Sequence, residues 1–170
     1  MTFDRTLIRE AKDMLDACSR GGLRIATAES CTGGLIAAVV TSIPGCSSVF
    51  ERGFVTYSND AKSEVLGIPA ALIEECGAVS EVVARDMAEG ALARSRADIA
   101  VAVTGIAGPT GGSEDKPVGL VHFACARRDN PTEHVCMLYG ERPREEIMHE
   151  SVRQAFSLIL LQATQGSALA

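Results

Sequence analysis

Tryptophan is absent, and two tyrosines and five phenylalanines bring the aromatic share of this 170-residue sequence to only 4%. A core without large rings must be built from Ala, Val, Ile and Leu. Scarce aromatics also leave few platforms on which unpaired bases stack. The net charge of −6 has the wrong sign for neutralising a phosphate backbone. Direct nucleic-acid binding is therefore not expected, whereas a small local anion site is compatible with this balance. No apolar run approaches the ~20 residues that span a bilayer. Residues Met1 to Arg20 interleave Asp, Arg, Glu and Lys, which is no signal-peptide core. A cytoplasmic protein without membrane contact is expected.

The cysteines at 18, 31, 46, 76, 125 and 136 form no Cys-x-x-Cys. None stands at zinc-finger spacing from a histidine. They read as reduced thiols of a cytosolic chain, and neither a metal nor a cofactor is expected. Lysine is rare too: it occurs only at 12, 62 and 116, against thirteen arginines. Arginine suffices for surface charge. Only lysine can lose its proton near neutral pH when desolvated, and so act as a base.

Apolar residues make up 46% and charged residues 22%, an ordinary globular balance for one domain over 1–170. Phe3, Leu7, Ile8, Ala11, Met14, Leu15 and Cys18 recur at helical spacing before Gly21-Gly22. Strands are predicted at 23–28, 49–57, 98–104, 118–126 and 133–138. The turn Asp129-Asn130-Pro131 makes the last two antiparallel. Further helices are predicted at 31–41, 60–66, 70–75, from the N-cap Ser80, and from Pro143, the last burying Ile147, Ala155, Phe156, Ile159 and Leu160. Helices and strands alternate early and a hairpin follows. The expected fold is α/β, a three-layer α/β/α sandwich on a mixed sheet of about five strands.

Three polar loops can carry chemistry. The first, Thr27 to Gly34, follows a strand and opens a helix, at the sheet edge where open α/β folds bind ligands. Free N–H groups there can hold a phosphate or an oxyanion. The plainer reading is that Ser30 or Thr32 only caps the helix. The second, Gly53 to Lys62, places Tyr57 at the end of a strand and Lys62 one turn into the next helix. The plainer reading is a solvated surface lysine. The third, Thr104 to Ser113, holds four glycines that let the backbone approach a ligand. It is neither a P-loop nor a dinucleotide fingerprint. Ser113 to Lys116 matches Ser-x-x-Lys, but Pro117 follows and no helix is predicted there. His122 and His134 fall in predicted strands and read as structural.

Glu29 to Gly34 (Glu-Ser-Cys-Thr-Gly-Gly), Gly53 to Asn59, Gly77 to Ser80, and Thr104 to Pro109 with Lys116 to Gly119 occur in this order. Together they resemble the CinA C-terminal domain family over about residues 5 to 163, and active members of that family are nicotinamide-nucleotide amidases. The resemblance implies hydrolysis of nicotinamide mononucleotide to nicotinate mononucleotide and ammonia, without a metal. It implies a serine nucleophile, a lysine and a tyrosine, which fall on Ser30, Lys62 and Tyr57. Many relatives carry an extra N-terminal domain resembling molybdopterin-binding proteins, and activity supported by that domain is not expected here. In such a mechanism Lys62 takes the Ser30 proton, directly or through Tyr57. The substrate-binding set is Thr32, Gly33, Gly34, Asn59, Thr104, Gly105, Ala107, Gly108 and Arg144, with Arg142 the rival phosphate partner. The expected partners are this small molecule and further copies of the chain. The competing readings are an inactive pyridine-nucleotide sensor and an adaptor linked to competence or DNA damage.

Overall fold

A computed structural model describes residues 3–165. Helix α1 (Arg5–Arg20) precedes β1 (Ile25–Glu29), α2 (Leu35–Thr41), a short 3-10 turn and β2 (Phe50–Val55). Helices α3 (Asn59–Leu66), α4 (Ala70–Cys76) and α5 (Glu81–Ala93) lead to β3 (Ile99–Gly105). The hairpin β4 (Leu120–Arg127) and β5 (Glu133–Leu138) feeds the final helix α6 (Arg144–Thr164). The sheet runs β2-β1-β3-β4-β5. Strand β1 is parallel to both β2 and β3, and β4 is antiparallel to β3 and β5. The mixed five-stranded α/β sandwich is therefore the architecture expected.

The two sheet faces solve the shortage of rings differently. On one, Leu7, Met14, Val101, Val103, Phe123, Phe156 and Ile159 pack α1, α2 and α6 onto the strands. On the other, six alanines (26, 28, 100, 102, 124 and 126) form a smooth floor for Val83 and Met87 of α5. Small floor residues let α5 lie close, and Gly90 lets it approach α3. A Cβ on Gly90 would stand 2.4 Å from the Leu66 carbonyl oxygen. Gly90→Ala therefore loses more to overpacking against rigid backbone, about 1–3 kcal/mol, than it gains in helix propensity, about 1 kcal/mol. A lowered melting temperature in a thermal scan is the expected result; a raised one contradicts this packing.

Several local expectations shift. The 31–41 helix starts only at Leu35, because Gly33 and Gly34 take φ of +59° and +97°, values no helix interior accepts. The second strand stops at Val55, so Tyr57 lies beyond it. Pro143 is the N-cap of α6 rather than its first residue. Leu160, expected inside, is 37% exposed: it and Leu161 turn outward while Leu158, Ile159, Gln162 and Ala163 turn in. Ser80 caps α5 through Val83 N–H as expected. All six cysteines are free thiols. Among the described residues no helix is long and apolar enough to cross a membrane.

Candidate active site

The parallel strands β1, β2 and β3 all point their carboxyl ends at one edge, and the first two candidate loops meet the third there. A cleft of about 270 Å³ is lined by Ser30, Cys31, Tyr57, Asn59, Lys62 and Arg144, together with Ala78-Val79 and the 104–111 loop. Of the expected binding residues, Asn59, Thr104, Gly105, Ala107, Gly108 and Arg144 line it. Thr32, Gly33 and Gly34 do not.

Lys62 is the decisive side chain. It sits one turn into α3, whose N-cap Ser58 accepts from Ala61 N–H. Instead of reaching solvent it is 1% exposed. Its Nζ lies 3.0 Å from Ser30 Oγ, 2.9 Å from the Thr56 carbonyl oxygen and 3.3 Å from that of Tyr57. Burial lowers its pKa from the ordinary lysine value, because the charged form has lost its water. Nζ donates to the two carbonyls, and its third contact is with the Ser30 hydroxyl.

Ser30 is held by its own main chain, since its N–H donates to the Val103 carbonyl. That bond withholds the Ser30 amide from any oxyanion role. Neither Ser30 nor Thr32 caps α2. That task falls to Glu29, whose carboxylate accepts from Gly34, Ile36 and Ala37 N–H at 3.1, 3.0 and 2.9 Å. The helix start expected to bind an anion thus already holds one from the chain itself. The neighbouring Cys31 thiol is buried and pushed up to about 12 by desolvation, so it is no thiolate at neutral pH.

Tyr57 lines the cleft from just beyond the end of β2. The residue is 60% exposed, and its hydroxyl accepts from Arg144 Nη2 at 3.0 Å. Only its main-chain carbonyl meets Lys62. Arg144 Nη1 donates to the Gly108 carbonyl at 2.9 Å, tying the start of α6 to the glycine loop. Its rival Arg142 is not among the lining residues. The Ala78-Val79 wall was missed by residue-level reasoning. It is fixed from both sides, by Thr104 Oγ1 on the Ala78 carbonyl and Lys116 Nζ on that of Cys76, each at 2.8 Å. Lys116 is accordingly a structural tie.

A larger, shallow cleft of about 450 Å³ lies elsewhere, between α5 and the β4–β5 turn. Its cations are already engaged: Arg128 donates to the Ala97, Leu92 and Ser95 carbonyls and Arg127 to that of Gln162. Its one hydroxyl–carboxylate contact, Thr132 Oγ1 donating to Glu89 Oε1 at 2.7 Å, is exposed. His122 and His134 lie 3.0 Å apart, Nδ1 to Nε2, and satisfy each other on neighbouring strands. No group of three or more potential metal ligands occurs among the described residues.

The model of the CinA C-terminal domain matches residues 8–163. A nicotinamide-nucleotide amidohydrolase, PncC, of Escherichia coli is 43% identical over 166 residues, 96% of this chain and 99% of that protein. A CinA-like protein of Akkermansia muciniphila is 59% identical over 117 residues, 69% of this chain. The match spans only 28% of that longer protein, as it spans 34% of a competence-damage inducible protein of Caldicellulosiruptor bescii. The crystal structure of a competence/damage inducible protein from Agrobacterium tumefaciens superposes with a TM-score of 0.93 at 48% identity, covering 97% of this chain and 99% of that one. The chain belongs to the CinA C-terminal domain family.

Proposed function

We propose that this protein is a nicotinamide-nucleotide amidohydrolase that releases ammonia from nicotinamide mononucleotide through a Ser30–Lys62 pair. The observation that carries the reading is the buried Lys62 Nζ 3.0 Å from Ser30 Oγ. The relatives named as amidohydrolases over nearly the whole chain support the substrate class.

The chemistry follows from the protons. Neutral Lys62 takes the Ser30 hydroxyl proton as Oγ attacks the carboxamide carbon. The developing oxyanion needs N–H donors that are not already spent. Gly34 N–H is bound to Glu29, Ser30 N–H to Val103 and Ile106 N–H to Leu120, so the Ala107 and Gly108 amides are the donors in this reading. Collapse of the tetrahedral intermediate expels ammonia, which takes its proton from the Lys62 ammonium. Water then attacks the acyl-serine ester, giving a proton to Lys62, which returns it to Ser30 Oγ as the ester bond breaks and nicotinate mononucleotide leaves. Tyr57 contributes its carbonyl to Lys62 and its hydroxyl to Arg144, rather than relaying the serine proton.

Purified protein in EDTA is expected to release one ammonia per nicotinate mononucleotide formed. Binding without ammonia release would make the chain a pyridine-nucleotide sensor instead. Loss of turnover on chelation, restored by Zn²⁺ or Mn²⁺, would overturn the metal-free serine mechanism.

A further inference from the structure

We propose that Glu29 is a positioning residue for catalysis: its buried carboxylate fixes the turn that aims Ser30 Oγ at Lys62 Nζ. The inference rests on the reading of Ser30 as nucleophile and adds a residue to it.

Glu29 is the last residue of β1 and is 0% exposed. Strand alternation sends its side chain, like that of Thr27, to the sheet face covered by α2. Oε2 accepts from Gly34 and Ile36 N–H, and Oε1 from Ala37 N–H. Thr27 Oγ1 adds a longer contact to Oε1 at 3.4 Å. Among the described residues no lysine, arginine or histidine forms an ion pair with it. Main-chain dipoles at the start of α2 are thus its principal partners.

The geometry reaches the nucleophile directly. The five residues from Ser30 to Gly34 leave β1 and enter α2, and Glu29 holds both ends of this turn. It is bonded to the chain just before Ser30, and hydrogen-bonded to Gly34 at the far end. Within the turn, Gly33 N–H donates to the Ser30 carbonyl and Leu35 N–H to that of Thr32. The turn also contains the two glycines at positive φ, where the backbone has the widest alternatives. The Ser30 N–H bond to Val103 secures only the near end of so permissive a segment, and the carboxylate secures the far end with three N–H bonds. Displacement of a reacting group by about 1 Å can cost on the order of 10²-fold in rate.

Glu29→Gln is the discriminating change. It keeps the shape, but one end of the amide becomes an NH2 donor. Each carboxylate oxygen faces at least one main-chain N–H, so neither orientation of the amide escapes a donor–donor conflict. The experiment compares kcat and KM for nicotinamide mononucleotide, and the second-order rate at which a fluorophosphonate labels Ser30. Circular dichroism establishes the folded fraction. The expected result, per folded molecule, is a fall of about 30- to 100-fold in both kcat and labelling rate, with KM within about threefold of the parent value. A folded variant with kcat and labelling within about twofold overturns the proposal, as does a loss confined to KM.

Should Glu29→Gln fail to fold, Glu29→Asp takes its place under the same criteria: it keeps the carboxylate but withdraws it by one bond, about 1.5 Å. Unfolding of both variants would assign Glu29 to the fold alone and overturn the proposal. Ser30→Ala is measured alongside. If it still turns over, the nucleophile assignment itself has failed. If it is dead while folded Glu29→Gln is active, only the role of Glu29 falls.

Discussion

Ser30→Ala is expected to abolish ammonia release, a fall of about 10⁴-fold or more in kcat, while substrate still binds. Lys62→Ala should be nearly as damaging. The double variant should be little worse than either, because nucleophile and base act as one unit. Cys31→Ala is the control that gives the result meaning. A thiol is the better intrinsic nucleophile, but this one is buried and held protonated by desolvation, with a pKa of about 12. Cys31→Ala should keep most activity, and alkylating reagents should inhibit only weakly. An inactive Cys31→Ala beside an active Ser30→Ala would make this a thiol enzyme.

In the proposed mechanism the same lysine sets the pH dependence. Its pKa is lowered from 10.5 by burial, and only the neutral amine can accept the serine proton. The rate kcat/KM should therefore rise with pH through a midpoint below the ordinary lysine value. Lys62→Arg, which stays protonated, should eliminate turnover and this limb together. Stability moves in the same direction. Below the folded-state pKa both folded and unfolded chains carry the proton, and the folded chain bears the full penalty of a buried charge. That penalty is relieved as pH rises from the folded pKa toward the unfolded one. A profile of kcat/KM flat through this range would remove Lys62 as the base.

Strands with strong local signals were legible. Continuous burial marked β3, and the Asp129-Asn130-Pro131 turn placed the hairpin, with β5 falling on Glu133–Leu138 as predicted. The scarcity of lysine drew attention to Lys62, although its burial depends on packing that periodicity does not report. The start of α2 was misplaced because small apolar residues look helical whether or not two glycines adopt positive φ. Glu29 was passed over for a related reason. A glutamate that ends a strand looks like a solvent-facing charge until α2 folds back onto it. The bond from Arg144 to the Tyr57 hydroxyl joins residues 87 positions apart in the chain, and no local pattern encodes that pairing.

Removal of the substrate phosphate should cost more than any other change to the ligand outside the carboxamide. Arg144 supplies the reason. Its hydrogen-bond partners are a carbonyl and a phenol, both uncharged, and it has no carboxylate ion pair among the described residues. A cation at the cleft that no acid neutralises favours an anion. With α2 closed by Glu29, the Arg144 side of the cleft is where the phosphate goes in the proposed complex. Binding energy from this remote group can be used to position the carboxamide. Charge-assisted hydrogen bonds contribute about 1.5–3 kcal/mol, which corresponds to roughly 10- to 100-fold in kcat/KM. Nicotinamide riboside should therefore be poorer than the mononucleotide by about that factor. Arg144→Ala should raise KM for the mononucleotide more than it lowers kcat, and should leave the riboside almost unaffected. The cycle of two substrates and two proteins isolates the contact: equal kcat/KM for both substrates in the parent enzyme, or an equal loss on both in Arg144→Ala, would place the phosphate elsewhere.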